Sequence, residues 1–362
     1  MRASPSRILF CYHTSSSFTQ DDLETLGNVA IVHSFLFSAK KAKNVVGLLG
    51  LFVQQFFCLL RHIRRSDVVF GWFADYHLIL PTFFARLFRK PIVIVLGGYD
   101  CIHLPELRYG IYESWWRAPV ARFVLRRASL LLPVSPTLNC TENMFSEWPN
   151  KMRNGLCVHV PGLNTRVEPI PTGYDPTLWT PGPPARSRSV CTVGLIDSER
   201  TFRRKGLDLV LETAALLPEV HFTIVGVSET MRSWVQATYA PGPNVDMKGR
   251  VPRPELVATY QAASVYLQLS RAEGMPNVLF EAMMCGCIPV VSDVFGQPDT
   301  AGPDGFIVAT PEPARIAEAI EKALVLDDSA RPRYRQHIVD NFLTTHREER
   351  LRAALASVGV AL

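Results

Sequence analysis

The run Arg271-Ala-Glu-Gly-Met-Pro-Asn-Val-Leu-Phe-Glu281 sets two carboxylates, Glu273 and Glu281, eight positions apart. Gly274 and Pro276 read as a turn, Asn277 as a candidate N-cap, and Val278 to Cys285 as a short helix with no breaker until Gly286. The start of such a helix offers unpaired N–H donors and a partial positive charge to an anion. Glu281, one turn inside, can accept hydrogen bonds from paired hydroxyls, while Glu273, ahead of the helix, can meet another part of the same ligand. A phosphorylated sugar fits that chemistry. Macrodipole complementarity alone would also place a glutamate there. The continuation Cys285-Gly-Cys-Ile-Pro-Val-Val291 reads as a helix end, a glycine stop and a buried strand, and it embeds the pair in an α/β unit.

The surrounding elements follow the same alternation. In the first half, Ile8 to Tyr12, Val29 to His33, Asp67 to Phe70, Ile92 to Leu96 and Leu130 to Pro133 read as strands, with helical patterns near 19 to 26, 38 to 62, 76 to 88 and 112 to 127. The second half restarts with strands at Ser189 to Val193, His221 to Val225, Val245 to Lys248, Val265 to Leu269, Ile288 to Val291 and Phe306 to Val308. Its helices fall near 205 to 217, 227 to 239, 253 to 263, 277 to 285, 312 to 326 and 329 to 341. Strands alternating with helices imply parallel sheets covered on both faces, hence two doubly wound α/β domains. Between them, residues 161 to 189 are rich in proline, including Pro183 and Pro184, and read as a linker or hinge. Both glutamates follow a strand at its carboxyl end, where such sheets bind ligands.

A chain of 362 residues fits two domains of roughly 170 to 180 residues each. With 48% apolar and 20% charged residues, disordered and fibrous classes are excluded. The eight cysteines, Cys140 and Cys157 among them, are scattered without a CxxC pair, and they read as buried free thiols in a reducing compartment with no metal site evident. Residues 1 to 180 hold 19 Lys and Arg against 12 Asp and Glu, so the first half is the basic one and suggests an anionic partner or surface. No signal peptide is visible ahead of the first strand. Val45 to Leu60 is apolar, flanked by Lys40, Lys41 and Lys43 before it and Arg61, Arg64 and Arg65 after it. With Gln54 and Gln55 inside, it is short and polar for a membrane span. It reads as a core-packed helix with solvated basic ends, or as an interfacial helix touching anionic lipid. Trp115 and Trp116, with Arg117, Arg122, Arg126 and Arg127, allow the same two readings.

The second half resembles the retaining GT-B glycosyltransferases of family 4, also called glycosyltransferase group 1. The elements that carry the resemblance are Ile170-Pro-Thr-Gly173-Tyr-Asp175, Val193-Gly194, Arg203-Arg204-Lys205-Gly206, Ile224-Val-Gly226, Lys248-Gly-Arg-Val251, Tyr260 to Tyr266 and the Glu273 to Glu281 run. The resemblance implies a GT-B fold of two Rossmann-like domains facing each other across a cleft. Residues 1–175 would form the acceptor side, completed by a last helix within 345–362, and 185–344 the donor side. It also implies that Lys205 contacts the donor's phosphates, Glu281 its ribose and Glu273 its sugar, with Gly274, Met275, Pro276, Asn277, Val278 and Leu279 as the cradle. Gly194, Arg203 and Arg204 would join the donor site, and Gly98, Asp100, Ser135 and Gly173 the acceptor side of the cleft. Two positions depart from the pattern: Leu195 stands where relatives carry an arginine and Gly97 where they carry a histidine. Arg203 or Arg204 would replace the first charge, and Asp100 or His103 the imidazole.

The expected activity is transfer of a hexose, with retention, from a UDP- or GDP-sugar to a glycan, lipid-linked or small-molecule acceptor. The donor is a substrate, and no cofactor or metal is called for. The expected location is cytoplasmic, with peripheral attachment to the inner membrane face. Leu195 and Gly97 keep open a catalytically impaired nucleotide-sugar-binding or scaffolding protein. Nucleic-acid binding has only the basic first half in its favour, and no recognition motif accompanies it.

Overall fold

The computed structural model describes residues 5–38, 44–143, 145, 152–182 and 188–362. Lys40, Lys41, Lys43, Pro183 and Pro184 lie outside the described residues, as do residues 185–187 of the 161–189 segment.

The first sheet is all-parallel and six-stranded: β1 (Arg7–Tyr12), β2 (Ile31–Leu36), β3 (Val68–Trp72), β4 (Ile92–Leu96) and β5 (Leu130–Pro133), with a hairpin of β6 (Thr141–Asn143) and β7 (Met152–Asn154) ahead of β8 (Arg166–Val167). Its order is β2-β1-β3-β4-β5-β8. The helices are α1 (Ser17–Gly27), α2 (Val45–His62), α3 (Ile79–Leu87), α4 (Arg117–Arg127) and α5 (Leu156–His159). The second sheet, order β11-β10-β9-β12-β13-β14, contains β9 (Ser189–Ile196), β10 (His221–Val227), β11 (Val245–Lys248), β12 (Val265–Gln268), β13 (Ile288–Ser292) and β14 (Phe306–Val308). Around it lie α6 (Glu199–Arg204), α7 (Leu207–Leu216), α8 (Glu229–Tyr239), α9 (Arg253–Ala262), α10 (Asn277–Met284), α11 (Gly296–Ala301), α12 (Pro313–Leu324), α13 (Arg331–Asn341) and α14 (Thr344–Ala356). Central strands such as IVIVL and IPVVS are buried along their whole length, as strands covered on both faces must be. In each sheet the order reverses beside its first strand, and that reversal opens a crevice at the strands' carboxyl ends.

The last helix does not stay with the second sheet. Arg347 on α14 is buried and pairs bidentately with Asp22 on α1, Nη2 to Oδ2 at 2.7 Å, while its Nη1 donates to the carbonyls of Ile170 and Pro171. Asp22 accepts a third bond from Trp72 Nε1 at 2.8 Å. The interaction joins the chain's two ends around the linker.

Four readings need correction. Cys140 and Cys157 are disulfide-bonded, because the β6–β7 hairpin and α5 bring their Cα atoms to 5.5 Å. Asn277 is the first residue of α10 and not its cap, a place taken by Pro276, which suits the first turn because it has no N–H to leave unpaired. Lys205 does not open the helix read near 205 to 217. It ends the short helix α6, where a cation complements the dipole, and α7 begins after it. Finally, α2 is not a core helix: only Gln55 and Leu59 are buried along it. Its helical run continues to Arg65, 21 residues of mean hydropathy 1.5, enough by length and composition to cross a membrane. Gln55 Nε2, however, donates to the carbonyl of His77 at 2.8 Å and holds the helix against the domain.

Candidate active site

The carboxyl ends of β9 and β12 lie side by side, and each delivers part of one charged cluster. Glu273 follows β12, and Lys205 reaches it from the α6–α7 junction, Nζ against Oε1. Arg204 Nη1 lies 3.5 Å from the same oxygen and donates to the carbonyl of Ala272 at 3.1 Å. Burial alone would raise the Glu273 pKa. The two cations more than reverse this and hold the carboxyl below the usual glutamate range. Arg204 also stacks 5.1 Å from the ring centre of Tyr109, a residue of the first domain. Arg203 is exposed and Leu195 is 68% exposed, so Arg204 is the arginine that turns inward.

Two further residues fix this cluster. Gly206 has φ +71°, and a Cβ there would strike the carbonyl oxygen of Leu269 at the end of β12. Only glycine lets the Lys205 turn lie this close to the strand. Arg271 is buried and pairs with both oxygens of Asp208 at 2.8 and 2.9 Å, while its backbone N–H donates to the carbonyl of Arg204. The Glu273 loop and the Lys205 turn are thereby clamped together. Nothing in the sequence spacing links Asp208 to Arg271.

The loop after Glu273 is held by the first domain. Gly274 lies against Gly97 and Gly98: a Cβ on Gly98 would stand 3.0 Å from Gly274 Cα. The Gly274 carbonyl accepts from Gly296 N–H at 3.2 Å. Asn277 Oδ1 accepts from Tyr174 OH at 2.6 Å, and its amide donates to Ser17 at 3.1 Å. Ser135 donates to Asp299 at 3.0 Å across the same boundary. Met275 and Leu279 are buried, Leu279 completely, and Val278 packs on the core, so these three side chains serve packing.

Glu281 faces a different space. Its Oε2 accepts from Tyr260 OH at 3.1 Å, and burial pushes its carboxyl up to about 7 despite that bond and the nearby Arg253. It lines a cavity of about 330 Å³ shared with Tyr174, Trp179, Arg253, Asp21 and Glu348. Five of the cavity's groups, Asp21, Glu24, Asp175, Glu281 and Glu348, are carboxyls, against the single cation Arg253. Such walls suit a hydroxyl-rich, aromatic ligand portion, whereas the cations Lys205 and Arg204 suit an anionic one.

The residues assigned to the first domain have varied placements. Asp100 is fully buried and its oxygens accept from the N–H groups of Gly98 and Ala74, so it braces two loops; burial raises its pKa to about 6 against those bonds. His103 pairs with Glu113 at 3.0 Å, away from Gly97. Neither supplies an imidazole at Gly97, because the ring of Phe73 fills the space a side chain there would need. Gly173 lines the cavity and is packed against α14, where a Cβ would stand 2.6 Å from Thr344 Cα. Gly194 lies at the end of β9, with the Lys205 Cε 3.7 Å from where its Cβ would be.

Residues 195–339 match the family described as glycosyl transferases group 1. Among curated relatives, a phosphatidylinositol N-acetylglucosaminyltransferase subunit of Arabidopsis thaliana is 27% identical over 46% of this chain and 38% of its own length. The alpha-maltose-1-phosphate synthase of Mycobacterium tuberculosis is 31% identical over 53% of this chain and 57% of its own. The matches thus span about half or less of those relatives. Among solved structures, Anabaena HepE in complex with UDP and glucose superposes with a TM-score of 0.71, 16% identity and coverage of 97% of this chain and 100% of that one. Sucrose-phosphate synthase from Thermosynechococcus elongatus gives 0.70, 17%, 98% and 99%. The chain therefore has the two-domain GT-B fold, and residues 195–339, which carry Lys205, Glu273 and Glu281, match the model of the glycosyl transferases group 1.

Proposed function

We propose that the protein transfers a hexosyl group, with retention of configuration, from a UDP- or GDP-sugar to a glycan, small-molecule or lipid-linked acceptor. The observation that carries this reading is the convergence of Lys205 and Arg204 on Glu273 at the β9–β12 crevice, beside the N-terminus of α10. As the glycosidic bond breaks, negative charge builds on the leaving diphosphate. Cations already fixed there stabilise that charge more than they stabilise the bound donor, which lowers the barrier. In this role Lys205 and Arg204 exchange part of their contact with Glu273 for phosphate oxygens. Glu273 then becomes free to accept from a sugar hydroxyl. The N–H groups at the start of α10 add donors toward the same anion.

The nucleoside is assigned to the cavity lined by Glu281, with Trp179 and Tyr174 as aromatic walls and the Glu281 carboxylate accepting from ribose hydroxyls. A retaining transfer on one face of the sugar lets the departing phosphate take the acceptor's proton, so no further protein base is needed. Two relatives are named for phosphatidylinositol and inositol 3-phosphate and a third for making maltose 1-phosphate, and these suggest the breadth of acceptors. The working location is the cytoplasmic side of a membrane.

A nucleotide-sugar-binding protein without transfer is the competing reading, favoured by Phe73 filling the space where relatives carry a histidine. Nucleotide release from a panel of UDP- and GDP-sugars, with and without acceptors, decides between them. Release that Lys205→Ala abolishes supports transfer, whereas tight nucleotide binding with no turnover of any donor supports the alternative.

A further inference from the structure

Helix α2 is apolar enough to be a core element, yet it turns its apolar side to solvent. Val46 is 75% exposed and Phe57 63%, with Leu49, Val53 and Leu60 exposed along the same helix. Neighbouring α3 continues the surface through Phe83 and Leu87. A soluble domain rarely leaves so many large apolar groups together without something to cover them.

The covering partner is indicated by charge. No acidic residue occurs from Asn44 to Ser66 or from Tyr76 to Lys90, whereas Arg61, Arg64, Arg65, Arg86 and Arg89 are exposed at the ends of the two helices. Arg64 lies 5.2 Å from the ring centre of Phe88, so the cations of both helices form one rim. An apolar face edged by these cations complements an anionic lipid surface, with side chains in the acyl boundary and guanidinium groups among the phosphates. The surface also leads to the cleft. Phe52 of α2 packs on Phe37 at 4.9 Å, Phe37 on Tyr76 at 5.7 Å, and Tyr76 on Trp116 at 5.7 Å, beside the 88% exposed Trp115. Phe37 and Tyr76 follow β2 and β3 at their carboxyl ends, the edge on which Gly97 and Gly98 meet Gly274.

We infer that the α2–α3 face docks on an anionic bilayer and presents the cleft to an acceptor anchored in it, so that the acceptor is lipid-linked. The acceptor half of this inference rests on the transferase reading; the docking half does not. The test is flotation of the full chain with vesicles of phosphatidylcholine, with and without phosphatidylglycerol, at low and high ionic strength. The expected result is binding to the anionic vesicles that weakens with salt, with a blue shift of tryptophan emission from Trp115. Leu49→Asp/Phe57→Asp should reduce binding by about tenfold or more while leaving circular dichroism and donor hydrolysis unchanged. A wild-type chain that stays with the soluble fraction at low salt overturns the docking, as does a double variant that binds equally well. A concentration-dependent dimer that the double variant dissolves, without vesicle binding, assigns the face to a second copy instead. Vesicle binding without nucleotide release from any donor leaves the docking standing and removes the transferase reading and its lipid-linked acceptor.

Discussion

On the proposed transferase reading, Lys205 has the most direct effect expected of any residue, because it would face the position where leaving-group charge develops. Lys205→Ala is expected to lower kcat by about 10²- to 10³-fold, with a smaller change in donor KM, in single-turnover assays. Equal losses in binding and turnover would show that it serves ground-state binding only. Glu281 adds a dependence on pH. Burial raises its pKa from the ordinary 4.5 to about 7, so between those values the native state holds a proton that the unfolded chain has released. Stability therefore falls as pH rises through that window and stays lower above it. Glu281→Gln should remove roughly 2 kcal/mol of this pH-dependent loss, visible as a smaller Tm difference between about pH 5 and about pH 8. Parallel wild-type and variant profiles would exclude that burial effect. At Gly97, an alanine must displace the Phe73 ring, and Phe73 itself already sits at φ +65°. Gly97→Ala should cost about 1–3 kcal/mol in chemical denaturation, and Phe73→Ala in the same chain should return part of that loss.

At the scale of elements, the donor half depends on a backbone contact between the α6–α7 turn and β12. Gly206→Ala adds a Cβ against the Leu269 carbonyl in a left-handed conformation, and a loss of about 2 kcal/mol or more is expected in denaturant unfolding, with weaker donor binding. An unchanged midpoint would mean that the turn can move away. These elements were largely readable beforehand: β4, β5, β11 and β14 lie where the apolar runs end, since flanking charged, glycine or proline residues delimit them. Helix α6 was not, because Glu199–Arg204 is six residues long and only Phe202 among them is buried, too little to show a period. The β6–β7 hairpin and its disulfide were equally hidden, because pairing depends on how close two distant segments come.

At the scale of the whole molecule, the two domains are held by few but specific contacts. The buried pair Arg347–Asp22 ties α14 to α1 and, through the carbonyls of Ile170 and Pro171, to the linker. Arg347→Ala leaves Asp22 buried with only Trp72 Nε1 as partner, and a destabilisation of about 3–5 kcal/mol is expected, partly recovered in Asp22→Asn/Arg347→Ala. Full stability of the single variant would show that α14 contributes little to the assembly. Ser135–Asp299 and Asn277–Ser17 add two further bonds between the first domain and the second.

Local rules were sufficient for the parallel α/β alternation, the carboxyl-end location of Glu273 and Glu281 and the family resemblance of the Lys205-Gly206 turn, because strand period, glycine stops and motif spacing act within short windows. Tertiary structure decided which side chains meet. It turned Arg204 inward and Arg203 outward, placed the Phe73 ring over Gly97, directed Glu273 to the cations and Glu281 to a separate acidic cavity, and left the apolar face of α2 uncovered. Each of these depends on segments tens to hundreds of residues apart packing at fixed distances, and a one-dimensional pattern of residue types does not contain those distances.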